Sequence, residues 1–103
     1  MSLYYLQKLL YQLNRDPIVR QRYESDRDRL LEEFALSEEE RRAVVEGDVG
    51  LLYVMGVNGQ LLMHFSALLG QQWDEYIAAM KDGVARYGPV RAGLYTMLKD
   101  RKQ

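Results

Sequence analysis

The chain has 103 residues, with 14 Lys plus Arg against 15 Asp plus Glu, a formal charge of -1, one His and no Cys. That size holds one domain with one modest core. The lack of Cys excludes thiol catalysis, disulfides and Cys-based metal sites, and one His excludes a His₃ zinc or 2-His-1-carboxylate iron site in this chain alone, leaving an all-carboxylate metal site or chemistry shared with another chain.

Helical spacing dominates the sequence. Leu3, Leu6, Leu9, Leu10 and Leu13 recur every three or four residues and predict a first amphipathic helix, with Tyr4, Tyr5 and Tyr11 widening its apolar face. Asn14-Arg15-Asp16-Pro17 ends it. Asp16 is an N-cap and Pro17 a first helical residue, so a short second helix follows, with Ile18, Val19 and Tyr23 predicted to face inward. Ser25-Asp26 is the next break, and Leu30, Leu31 and Phe34 mark a third helix. Ser37 and Glu40 have capping-box spacing ahead of Arg41 to Val45, with Glu38 and Glu39 adding negative charge to that first turn. Gly47 suits a left-handed helix end and Asp48 a cap. Val49 to Met55 is nearly uniformly apolar and reads as a buried helix. Gly56-Val57-Asn58-Gly59 is a tight loop, Leu61 to Leu69 a further helix, and Gly70 its stop. Gln72 to Met80 places Trp73, Tyr76, Ile77 and Met80 on one face. After Gly83 the pattern weakens, and Gly88-Pro89 and Gly93 break the chain.

The predicted fold is therefore all-α: a small orthogonal bundle of about six short helices, with a core over about 3–83 and an irregular tail over 84–103. No sustained period-two alternation predicts a strand.

Residues 1–80 carry 8 basic and 13 acidic side chains, and residues 81–103 carry 6 and 2. A basic end of this size falls short of the large basic face of single-module nucleic-acid binders, so no nucleic acid is expected. The uncharged stretch Val49 to Met63 is too short and too interrupted by Gly56 and Gly59 to cross a bilayer. The start of the chain lacks a basic n-region and a small-residue cleavage site. No membrane partner and a cytoplasmic location are expected. Eight Tyr supply amphipathic surface of the kind enriched at interfaces, and equally suit the edge of a small core.

His64 is the one imidazole, and it reads either as a core-edge residue or as a ligand contact at a shared interface. Ser66, two residues on, lies on another helix face, so no triad is formed. Glu38, Glu39 and Glu40 cap and solvate a helix start. Asp26, Asp28, Glu32 and Glu33 lack the calcium-loop pattern. Gly47-Asp48-Val49-Gly50 lacks the length and the Lys of a phosphate-binding loop. The Gly56–Gly59 loop permits close approach of a ligand or another chain, or simply turns the backbone.

The ordered set Asp16-Pro17, Tyr23, Leu30 to Arg41, Glu46-Gly47-Asp48, Leu51-Leu52-Tyr53, Gly56-Val57 and Leu61-Leu62 resembles one family. Asp74-Glu75-Tyr76, Met80, Asp82-Gly83 and Gly88-Pro89-Val90-Arg91 extend the likeness to roughly residues 5–95. The family is the small alpha subunit, LigA-like, of the two-subunit extradiol ring-cleaving dioxygenases of the protocatechuate 4,5-dioxygenase type. The resemblance implies a single helical domain over 1–103 that packs on a larger beta subunit. It implies that the beta subunit holds the Fe(II) and cleaves a catecholic aromatic acid, while the alpha subunit covers the active site and is not itself catalytic. No metal ligand, cofactor site or catalytic residue is implied in this chain. Matching the family segment places Asn58, Gln60, Leu61 and His64 nearest the shared site as substrate contacts. Leu61 would stand where the family can place an aromatic wall residue. The alternative is a stand-alone helical interaction module, a homodimer, with no enzymatic role.

Overall fold

A computed structural model of the chain describes residues 2–91. Within them seven helices follow one another: α1 (Ser2–Arg15), α2 (Pro17–Ser25), α3 (Arg27–Glu32), α4 (Glu38–Glu46), α5 (Val49–Met55), α6 (Gly59–Leu68) and α7 (Trp73–Tyr87). The all-helical expectation is met, with seven helices among the described residues where about six were expected, and Asp26 separates α2 from α3 at the expected break.

The helix ends follow local chemistry. The Asp16 carboxylate accepts from the Ile18 amide at 2.9 Å, and Pro17 opens α2. At α4 the Ser37 hydroxyl accepts from the Glu40 amide at 3.1 Å, while the Glu40 carboxylate accepts from the Ser37 amide at 2.8 Å. That reciprocal pair satisfies two otherwise free amides and explains why a buried Glu40 is tolerated. Gly47 ends α4 and Gly56 ends α5, both left-handed, at φ 65° and 101°. Asp48 accepts from the Leu51 amide through one oxygen and from the Tyr87 hydroxyl, at 2.6 Å, through the other. One carboxylate thus caps α5 and anchors the end of α7.

α5 is the central element. Val49, Gly50, Leu51, Leu52, Val54 and Met55 are all buried, and α4, α6 and α7 pack against it. α1 lines a second side of the core with Leu6, Leu9, Leu10 and Leu13, and packs on α2 and α6. Tyr23 closes the gap between α2 and α4. Its hydroxyl donates to the Val44 carbonyl at 2.9 Å, its ring meets Phe65 edge-on at 6.1 Å, and the Arg27 guanidinium covers it at 4.0 Å. Burial pushes the Tyr23 hydroxyl above its ordinary pKa.

Three expectations are corrected. Ile18 is exposed (67%), because α2 turns Val19 and Tyr23 inward and Ile18 lies off that stripe. Trp73 is also exposed (64%); it opens α7 and leans on Tyr76 at 5.6 Å, while Tyr76, Ile77 and Met80 do reach the core. The third correction is that α7 passes through Gly83 and ends at Tyr87, so residues 84–87 belong to the helix and not to a tail. Gly83 is a packing residue. A Cβ placed on it would lie 2.5 Å from the Gly50 carbonyl carbon, and one on Gly50 would lie 2.5 Å from the Ala79 carbonyl oxygen. The two backbones cross where neither has a side chain.

After α7 the chain turns at Gly88 and lies back over α5. The Arg91 amide donates to the Val54 carbonyl at 2.7 Å. The Arg91 guanidinium binds both carboxylate oxygens of Glu39, at 2.7 and 3.0 Å, and holds that carboxyl below its ordinary pKa. The expected apolar run Leu94, Tyr95, Met97 and Leu98 lies outside the described residues.

Candidate functional site

α6 carries all the sequence-predicted contact residues or sits directly behind them. Asn58 precedes it, and its side-chain oxygen accepts from the Gln60 and Leu61 amides at 2.9 and 3.2 Å. Two of the free amides at the α6 N-terminus are thereby occupied. The Asn58 amide itself donates to the Gln7 side chain at 2.6 Å, which ties the loop to α1. Asn58 is therefore a cap and a strut in this fold. Gln60 is exposed and Leu61 is half-buried, packed on the core. The Tyr76 hydroxyl reaches the Gly59 carbonyl only at 3.5 Å, and burial raises its pKa.

His64 follows one turn after Gln60 and Leu61, on the same side of the helix. It lines a cavity of about 400 Å³ with Phe65, Ala67 and Leu68 of α6, Leu10 and Asn14 of α1, and Arg20 of α2. Asn58, Gln60 and Leu61 are not among its lining residues. The four predicted positions thus divide: a capped helix start, and a cavity wall one turn away. The Nδ1 atom of His64 is sealed from solvent and has no hydrogen-bond partner.

Leu10, Asn14 and Arg20 were not legible as partners of His64. The corner at Asp16-Pro17 packs α2 on α1, and with α1 packed on α6 it brings position 20 to position 64. No spacing along the chain encodes it. A second, apolar depression of about 350 Å³ lies between α5 and α7, walled by Tyr53, Ile77, Met80, Lys81 and Val84. Among the described residues no three His, Asp or Glu side chains come close enough to hold a metal ion, and no helix is long and apolar enough to cross a membrane.

Residues 6–86 match the family model described as aromatic-ring-opening dioxygenase LigAB, LigA subunit. The chain belongs to that family. The matched residues begin inside α1 and end inside the last turn of α7, so LigA-subunit membership extends over all seven helices. By its description the LigA subunit is one part of the LigAB dioxygenase, which makes a partner subunit the family's setting. No curated protein and no solved structure matches the chain.

Proposed function

We propose that the chain is the accessory, non-catalytic subunit of an Fe(II)-dependent extradiol dioxygenase that cleaves a catecholic aromatic acid. In this reading it covers the mouth of an active site held by a separate, larger subunit, in the cytoplasmic breakdown of aromatic compounds. The observation that carries the reading is the family match across residues 6–86, which spans the folded unit and not one motif.

The side chains present support the division of labour. The described residues of this chain do not converge into a ligand set that fits iron; in this reading the iron and the steps of ring opening belong to the larger subunit. What the chain offers is surface. Gln60 and Met63 are exposed on α6 beside the half-buried Leu61, an apolar and hydrogen-bonding face suited to cover a flat aromatic acid. Tyr4, Tyr11, Ile18 and Trp73 add exposed apolar area for contact with a partner.

The test is co-purification of this chain with a candidate large subunit, followed by oxygen uptake on catecholic acids with added Fe(II). Retention of the pair and faster uptake in its presence are expected. A large protein that neither retains this chain nor changes its turnover with it would remove the reading. Self-association of the chain alone, seen by size-exclusion chromatography, would then support the stand-alone module.

A further inference from the structure

The cavity between α1, α2 and α6 has a divided lining. Leu10, Phe65 and Leu68 make an apolar floor, and Asn14, Arg20 and His64 a polar edge. Its volume, about 400 Å³, lies in the range of small-molecule pockets. Among the described residues no side-chain hydrogen bond or ion pair engages Asn14 or Arg20. Both line the cavity, and no described side chain holds either of them.

His64 is the third polar side chain at this edge. Its Nδ1 is buried without a partner. The His64 ring lines the cavity beside Arg20 and Asn14.

A guanidinium, an amide and an imidazole beside an apolar floor suit an acceptor on an apolar body. One guanidinium matches one negative charge, and its planar fork fits the two oxygens of a carboxylate. A phosphate dianion would keep a charge unmatched and would gain nothing from Phe65 and Leu68. We propose that this cavity binds a small monocarboxylate with an apolar body, its head on Arg20, Asn14 and His64 and its body on Phe65 and Leu68. The site lies wholly within this chain, so it stands or falls independently of the larger subunit.

The full chain is titrated with benzoate and followed by amide chemical shifts and by the His64 ring nitrogens. Saturable shifts at the cavity are expected, with a Kd of about 1 mM or tighter. Benzyl alcohol (the same body without the charge) and acetate (the charge without the body) should each bind at least about tenfold more weakly. Arg20→Gln should weaken benzoate about tenfold, since it removes a charge-assisted pair. Ala67→Trp, at an exposed helical position on the cavity wall, should block binding and keeps the test available if the Arg20 variant fails to fold. Absent or non-saturating shifts at the cavity, shifts confined to another surface, equal binding of benzyl alcohol, or binding unaffected by either variant would overturn the proposal.

Discussion

The Tyr23 hydroxyl works inside the core, where its bond to the Val44 carbonyl joins α2 to α4. Tyr23→Phe keeps the ring and the Phe65 contact and removes only that bond. The Val44 carbonyl retains the Gly47 amide at 3.2 Å, so no acceptor is left bare. A loss of about 1 kcal/mol is expected, read as a fall of about 4–8 °C in the thermal midpoint. Leu61 carries a different prediction. It is half-buried at the start of α6, and Leu61→Phe should leave the chain folded while shifting relative turnover among differently substituted catechols in the proposed complex. Unchanged relative turnover would take Leu61 out of the site. At this scale the sequence was readable wherever the interaction is local. Asp16, Ser37 with Glu40, Gly47 and Asp48 cap as their spacing predicts, because each partner lies within three residues or so. Arg20 and His64 were not readable together, because their meeting depends on a corner and two packed helices.

Among the elements, α7 is where local propensity and packing disagree. An interior Gly costs a helix about 1 kcal/mol relative to Ala, which is why the sequence suggests an end near Gly83. The crossing with α5 reverses that preference, because any Cβ at position 83 meets the Gly50 backbone. Gly83→Ala should therefore destabilise despite its better propensity, by about 1–3 kcal/mol of overpacking. Denaturant unfolding at fixed pH measures it, and a stabilised variant would refute the tight crossing. The turn after α7 gives a pH prediction. Arg91 lowers the Glu39 pKa below the ordinary 4.5, so the folded state binds fewer protons than the unfolded chain as that carboxyl titrates. The pair's contribution is complete above pH 4.5 and is lost as pH falls through the lower folded value. Both side chains are nearly half exposed, so solvent screening limits the pair to about 1 kcal/mol at most. The parent and Arg91→Gln should differ in thermal midpoint at neutral pH and converge below pH 4.5. A pH-independent difference would remove the ion pair as its cause.

On the scale of the whole molecule, the all-helical bundle was legible because Leu spacing, caps and Gly stops agree from Leu3 to Gly70. The nearly uniform Val49–Met55 stretch correctly marks the centre, since a short helix apolar all round must be surrounded. What the sequence did not show is which helices meet: α1 on α6, and α5 across α7. The packing of α1 on α6, with the corner into α2, creates the cavity, so the architecture was readable where the cavity was not. The α5–α7 crossing also has a genetic consequence. Most overpacked core positions can be rescued by trimming the neighbouring side chain. At Gly50 and Gly83 the neighbour is backbone, already without a side chain on either side. A defect introduced at one of the two has no reciprocal repair at the other, so revertants of Gly83→Ala should restore Gly83 or alter distant positions and leave residue 50 unchanged.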